Sequence, residues 1–205
     1  MKRTLYFVVA FLVVFAMGAF AQDYPKAEVA VGYSFVNVHP DLTPITSFNV
    51  NGGGGAFVYN VTPLIGIKAD FMGYTTSNGF KKQIQDLGYT GNISGNVFTY
   101  LFGPQFKKHS GKLQPFGEAL FGAAHSNAYA TVFSAQGLQS GSGDNNAFAM
   151  EFGGGLDYAI NKTIQIRPVE VDYLYTKFGS NQVNYTGTQN NFKYMAGVNF
   201  TFGGK

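Results

Sequence analysis

The alternation of apolar and polar residues near the end of the chain is the clearest structural signal in the sequence. Apolar residues occupy every second position from Phe192 to Phe202, and mostly small or polar residues lie between them. A period of two over this length predicts a β-strand with two unlike faces. A tilted strand needs about 9–11 residues to cross an outer membrane, so this one is long enough. Its apolar face is aromatic at both ends, as expected where a lipid-facing strand meets the two membrane interfaces.

The same pattern recurs along the chain and predicts eight strands. They cover residues 26–37, 47–60, 64–76, 95–108, 113–127, 146–160, 164–178 and 189–203. Tight turns are predicted at 61–63, 109–112 and 161–163, and longer loops near 38–46, 77–94, 128–145 and 179–188. An even number of strands with connections of alternating length predicts an all-β fold, an eight-stranded antiparallel up-and-down transmembrane β-barrel. Its short turns are expected in the periplasm and its long loops outside the cell.

Alternation alone does not decide which face lies inside, because a soluble barrel such as a lipocalin alternates as well. The polar faces consist of small residues and isolated charges, which suit the narrow interior of eight strands and would make a poor solvent surface. We therefore predict that the long, uncharged apolar faces contact lipid. The faces of strand 47–60 stay unassigned, because glycines 52–55 erase its pattern. A bulge at Pro168 is predicted to bring Arg167, Glu170 and Asp172 to the inner side.

The first 21 residues are predicted to be a cleaved signal peptide. Lys2 and Arg3 precede a short apolar run, which ends at an Ala-Phe-Ala cleavage site at 19–21. The outer-membrane barrel domain is therefore expected to span residues 22–205. No later segment has the length of apolar sequence that a membrane-spanning helix needs.

Composition supports a membrane barrel and excludes several other classes of protein. Charged residues make up only 12% of the chain, against about 25% in an average soluble domain. There is no cysteine, which excludes disulfides, thiolate catalysis and cysteine-type metal sites. The net charge of +3 is not gathered into a basic patch, so no nucleic-acid partner is expected.

Several stretches resemble the OmpA-like outer-membrane barrel family, including its short bacterial surface antigens. The matching segments are 66–74, 98–104, 112–122, 153–157 and 167–173. The resemblance implies an eight-stranded monomer with exposed loops and a lumen plugged by internal ion pairs. Its implied partners are outer-membrane lipid or lipopolysaccharide and the barrel-assembly machinery, which would read Phe200 and Phe202 as the assembly signal, here displaced from the chain end. A peptidoglycan-binding domain, found after the barrel in many relatives, is not expected here.

The strongest candidate site is a set of charged residues on the predicted inner faces. Its members are Lys68, Asp70, Glu118, Glu151, Asp157, Arg167, Glu170, Asp172 and Lys193. Unpaired charges in a narrow lumen are costly, so these side chains are expected to pair with one another or to hold water. We favour a structural plug, because eight strands leave room only for side chains. A small cation-preferring channel is the alternative, because the acids outnumber the bases.

An outer-membrane lipid enzyme is the third and least favoured function. His125-Ser126-Asn127 is similar to the His-x-Ser-Asn motif of lipid A deacylase barrels. Adjacent residues on a strand point to opposite faces, however, and a serine without its base is a poor nucleophile. We therefore predict that the protein is not an enzyme and has no catalytic residues.

Neither a cofactor nor a metal is expected. His39 and His109 are isolated in a loop and in a turn, so no metal-binding cluster is evident. Glycines 52–55 lack the lysine and the helix of a phosphate-binding loop and are better explained by close packing in a crowded strand. Lys81-Lys82 lies in the second long loop, where ordinary exposure to solvent is the default expectation and contact with anionic lipopolysaccharide is the alternative. Any other loop ligand is unidentified.

Overall fold

Eight β-strands close into an antiparallel barrel in which each strand pairs with its sequence neighbours and the first pairs with the last. The strands are β1 Ala27–Val38, β2 Phe48–Asn60, β3 Ile65–Thr76, β4 Thr90–Lys107, β5 Leu113–Ser134, β6 Gly137–Ala159, β7 Ile164–Phe178 and β8 Thr188–Phe202. The computed structural model describes residues 24–39, 47–76, 82, 85–86, 90–134, 137–178 and 188–204. The fold is the predicted up-and-down barrel. The predicted signal peptide lies outside the described residues.

The two ends of the barrel differ in their connections. One end, which we call the turn end, carries the segments 24–26, 61–64, 108–112, 160–163 and 203–204. Its turns are closed by local hydrogen bonds: Thr62 Oγ1 accepts from the N–H of Ile65 at 2.9 Å, and Asn161 Oδ1 accepts from the N–H of Ile164 at 2.8 Å. Gly111 has a φ of 79°, a backbone conformation that favours glycine. The opposite end, the loop end, is where the other four connections begin and finish.

The structure corrects the predicted loop near 128–145. There β5 and β6 continue as a paired hairpin, as far as Ser134 opposite Gly137. Similarly, β4 begins at Thr90, within the predicted loop 77–94. The prediction failed because the glycine- and serine-rich segment 137–145 has no apolar face, whereas the ladder between strands uses only backbone N–H and C=O groups.

The outward positions form an apolar band, and the inward positions are buried. Val31, Phe102 and Phe148 are 46%, 50% and 52% exposed on the outer face, which agrees with the predicted lipid-facing parity. The structure also assigns the strand whose faces the sequence left open, because Ala56 and Val58 of β2 are buried.

Strand β7 contains the predicted irregularity at Pro168. The register of β7 against β8 shifts between Arg167 and Glu170. Both residues of the bulge, Pro168 and Val169, are exposed, while Arg167, Glu170 and Asp172 are buried. The bulge therefore reverses the alternation once, so that three charges share the inner face.

No helix among the described residues is long and apolar enough to cross a membrane.

Protease added outside intact cells is expected to cut the connections 77–89 or 179–187 and to spare the turn at 108–112. The turn is expected on the periplasmic side, and the hairpin of β5 and β6 should resist cleavage because its backbone is paired. Digestion followed by mass spectrometry of the fragments tests this, with permeabilised cells as the control. Unboiled and boiled samples should migrate differently on a gel while the barrel is folded. Cleavage first at 108–112 in intact cells would reverse the orientation.

Candidate functional site

All nine charged residues predicted to face inward lie inside the barrel, and none is more than 6% exposed. Glu28 and Lys107, which the prediction did not include, are each 1% exposed beside them. Among the described residues the lumen therefore holds seven carboxylates against four lysine and arginine side chains, an excess of three formal negative charges. So many charges are compatible with burial only if they are extensively paired.

Arg167 links the two halves of this charge network. It donates to Asp157 from Nε at 2.7 Å and from Nη2 at 3.0 Å, and to Glu170 from Nη1 at 2.6 Å. The planar guanidinium fits a carboxylate in this two-bond geometry, and charge-assisted hydrogen bonds of this kind are strong. The guanidinium carbon also lies 4.3 Å from the ring centroid of Phe116. Arg167 is thus held on three sides by side chains from β5, β6 and β7.

One half of the network lies between Arg167 and the middle of the barrel, and we call it the mid-barrel cluster. Its members are Lys68, Asp70, Glu118, Glu151, Glu170, Asp172 and Lys193. Lys68 donates to Glu118 at 2.6 Å and also lies 3.3 Å from Asp70 and 3.4 Å from Glu170. The cluster therefore joins β3, β5 and β7 across the lumen.

Lys193 completes the mid-barrel cluster from β8. Its Nζ lies 2.6 Å from Glu151, 3.1 Å from Asp172 and 3.3 Å from Glu170. Four of the carboxylates, those of Glu118, Glu151, Glu170 and Asp172, offer oxygens within 4.8 Å of one another, a spacing that a metal ion would accept. The ammonium groups of Lys68 and Lys193 already lie among these oxygens, however, and would repel a second cation. The arrangement is that of an ion-pair network.

The other half of the network closes the turn end around Glu28 and Lys107. Lys107 donates to Glu28 at 2.5 Å, to Asp157 at 2.7 Å and to the Gln165 amide oxygen at 2.9 Å. Asn199 donates to the same Glu28 and Asp157 carboxylates. Sequence reasoning missed Lys107 because it adjoins a turn, although it shares the inward parity of Leu101 and Gln105 in β4.

His109 is not isolated, contrary to the prediction. Its Nε2 lies 2.7 Å from Glu28 Oε1, and its Nδ1 lies 2.8 Å from the carbonyl oxygen of Pro63. A carbonyl oxygen only accepts hydrogen bonds, so Nδ1 is placed to donate to Pro63 while Nε2 faces the Glu28 carboxylate. This side chain ties the β4–β5 turn to β1 and to the β2–β3 turn. The sequence does not reveal this contact, because the β4–β5 and β2–β3 turns come close together only in the folded barrel.

Toward the loop end, the lumen holds two clusters of buried apolar side chains, which together we call the apolar layer. Its members are Val36, Val38, Val50, Met72, Tyr74, Leu101, Leu120, Ala124, Ala147, Ala149, Leu174 and Met195. Leu101 and Leu120 are 0% exposed, and half-buried Val97 packs against both sides of the layer. Close-packed apolar side chains leave little room for water. The apolar layer therefore lies beyond the charge network along the lumen.

Glycines of β2 make room for this layer. A Cβ on Gly54 would lie 2.7 Å from Met72 Sδ and 2.0 Å from the carbonyl oxygen of Phe71. A Cβ on Gly52 would lie 2.8 Å from the Tyr74 ring. Both distances to side chains are shorter than van der Waals contact, so glycines here serve close packing, as predicted for the run 52–55.

The sequence matches the model of a family described as outer membrane protein beta-barrel domain, over residues 7–203. The chain belongs to this family. The barrel is therefore an outer-membrane protein, in which short turns face the periplasm as a rule. No curated protein matches the chain.

Solved structures of similar shape are small barrels of low sequence identity. The attachment invasion locus protein Ail of Yersinia pestis has a TM-score of 0.59 and 16% identity, covering 87% of this chain and 99% of that one. Neisserial surface protein A has a TM-score of 0.56 and 10% identity, covering 88% and 100%. At these identities the likeness shows the fold alone.

The remaining predicted residues of this outer-membrane barrel lie away from the lumen network. His125 has the outward parity of β5 and contacts Asn146 Oδ1 through Nδ1 at 2.9 Å, while Ser126 has the inward parity next to buried Ala124. The two residues thus point to opposite faces. Phe200 and Phe202 lie on the outer face at the turn end, where the carbonyl of Phe202 accepts a hydrogen bond from the N–H of Lys26 at 2.7 Å. Lys82 is exposed, and Lys81 lies outside the described residues.

Proposed function

We propose that this outer-membrane β-barrel has a structural or surface-interaction role and that its lumen is closed by two barriers in series. The observation that supports the proposal is the burial of charged and apolar side chains at successive levels of the lumen, among the residues that the structure describes. The charge network occupies the turn-end half and the middle, and the apolar layer occupies the loop-end half. An ion crossing the barrel would have to separate buried ion pairs and then enter a close-packed apolar region.

A surface role is supported by the shape that the barrel shares with two proteins whose names describe surface functions. One is an attachment invasion locus protein, and one of its structures is a complex with the heparin analogue sucrose octasulfate. The other is a surface protein. We infer that the loop end of the present barrel is the part that meets external ligands. Exposed Lys82 would contact lipopolysaccharide there, through its positive charge.

Export and assembly follow from the same proposal. Residues 1–21 would direct secretion, and residues 22–205 would form a monomeric barrel in contact with outer-membrane lipid. The barrel-assembly machinery would read Phe200 and Phe202, which lie on the outer face of the last strand. N-terminal sequencing of the mature protein tests the first part, with Gln22 as the expected first residue.

Single-channel recording on the refolded barrel tests the closed lumen directly. A lumen filled by side chains should give no steady current, with at most brief and rare openings when an ion pair rearranges. A steady, large current would refute the closed lumen.

The second candidate function is a small cation-preferring channel. The observation that favours it is the excess of three carboxylates over lysine and arginine in the described lumen. A negatively charged path attracts cations and repels anions. If a steady current is found, its reversal potential in a salt gradient shows whether cations carry it. This candidate function requires selectivity for cations.

Catalysis on lipid A is not part of the proposed function, and expressing cells are expected to contain no newly deacylated lipid A. His125 and Ser126 point to opposite faces of β5, so the histidine is not placed to activate the serine. Mass spectrometry of lipid A from cells expressing wild type and His125→Ala checks this. A deacylated product that is lost in the His125→Ala cells would establish the enzyme.

A further inference from the structure

Among the described residues, the turn end carries four lysines that form no ion pair with a carboxylate. Lys26 precedes β1, Lys108 and Lys112 lie in the β4–β5 turn, and Lys162 lies in the β6–β7 turn. The five turn-end segments contain no aspartate or glutamate. Every ion pair in the described part of the chain uses Lys68, Lys107, His109, Arg167 or Lys193 as its cation. We call Lys26, Lys108, Lys112 and Lys162 the lysine ring.

The lysine ring lies where the apolar band of the barrel ends. Lys112 adjoins Leu113, which is 57% exposed on the outer face, and Lys162 follows Ile160, which is 56% exposed. The ammonium of Lys26 lies 5.1 Å from the ring centroid of Tyr59, a third outward-facing side chain at this edge. Apolar side chains that face lipid, followed at once by lysines and tyrosines, mark the level of the lipid headgroups.

We propose that the lysine ring binds the phosphate groups of anionic lipid headgroups in the periplasmic leaflet of the outer membrane. A lysine ammonium is a compact positive charge with three hydrogen-bond donors, and a phosphate offers several acceptors. With no acid among them, the four lysines create a locally positive rim that attracts anionic headgroups. His109 belongs to the same turn but takes no part, because both ring nitrogens are engaged by Glu28 and Pro63. The proposal rests on the orientation given above, with the turn end toward the periplasm.

The test compares spin-labelled phosphatidylglycerol with spin-labelled phosphatidylcholine around the barrel in phosphatidylcholine vesicles. For wild type, the motionally restricted fraction should show a preference of about 2- to 5-fold for phosphatidylglycerol, the scale expected for lysines near a headgroup surface. The preference should fall close to 1 when all four residues are replaced, as in Lys26→Gln, Lys108→Gln, Lys112→Gln and Lys162→Gln. The matching four Lys→Arg changes should keep it.

A control at the opposite end of the barrel distinguishes an effect of the lysine ring on the lipid preference from an effect of any exposed lysine. Lys177→Gln removes an exposed charge at the loop end and should leave most of the preference intact. Folding of each variant is checked by its gel mobility before and after boiling. If the fourfold variant does not fold, the variant with half-buried Lys26 retained should still lose most of the preference.

Three results would overturn the proposal. They are no preference in wild type, an unchanged preference in the Lys→Gln variants, and a preference lost equally in the loop-end control. Lysine-dependent sedimentation of the protein with purified peptidoglycan, without any lipid preference, would assign the ring to the cell wall and also overturn it. The lipid preference does not depend on whether the lumen conducts, so either outcome leaves the conductance test of the proposed function intact.

Discussion

Replacing Arg167 with alanine is expected to lower the free energy of unfolding by about 3–5 kcal/mol, the range typical for breaking a buried ion pair from one side. The substitution removes three hydrogen bonds to Asp157 and Glu170. Each carboxylate keeps a lysine partner but loses the guanidinium, so the lumen is left with a larger excess of negative charge. It also removes the contact between the guanidinium and Phe116. Urea unfolding of the refolded barrel in vesicles, followed by gel mobility, measures the change.

Two further variants make the Arg167 result specific. Arg167→Lys keeps the charge but loses the two-bond geometry with Asp157, so it should fall between wild type and Arg167→Ala. Lys177→Ala removes an exposed lysine at the loop end and should change the stability by no more than about 0.5 kcal/mol. If Arg167→Ala were no more destabilising than Lys177→Ala, the network would contribute nothing to the closed state.

Replacing Leu120 with alanine is expected to lower the free energy of unfolding by about 2–5 kcal/mol, because it leaves a cavity in a close-packed interior. Leu120 is fully buried in the apolar layer beside Leu101 and Leu174. The same unfolding titration measures the loss. A loss well below this range would show that the layer is loosely packed.

The Leu120 substitution is also expected to act on conductance, but only together with Arg167→Ala. The two barriers lie in series, so opening one of them leaves the other in place. The matched control is Phe102→Ala with Arg167→Ala, because Phe102 lies on the lipid-facing side and is 50% exposed there. That control should lose stability without gaining current. Equal currents from the two double variants would mean that general destabilisation, and not the apolar layer, controls the opening.

Much of the fold follows from the sequence alone, because a period of two is strong wherever a strand divides lipid from lumen. The eight strands, the lipid-facing parity outside β2 and the bulge at Pro168 were predictable from the sequence. The extension of β5 and β6 was not. In segment 137–145 the apolar face disappears, and strand pairing there rests on backbone hydrogen bonds that leave no pattern of side-chain polarity.

Residues of the candidate site could be predicted wherever the alternation of inward and outward positions continues along a strand. The same parity that places Lys68 and Lys193 inside also places Lys107 inside, although its position beside a turn conceals this. Leu101 and Leu120 likewise have inward parity, but a search for charges passes over them. His109 could not be found from the sequence, because its partners Glu28 and Pro63 are brought to it only by closure of the barrel.

The central claim is that this outer-membrane barrel is closed by a charge network and an apolar layer in series. The most direct measurement is single-channel recording on wild type and on the double variant Arg167→Ala, Leu120→Ala under the same conditions. We predict no steady current through wild type and a steady, cation-selective current through the double variant, whose exposed carboxylates would line the path. A steady, large current through wild type that neither substitution changes would contradict the account.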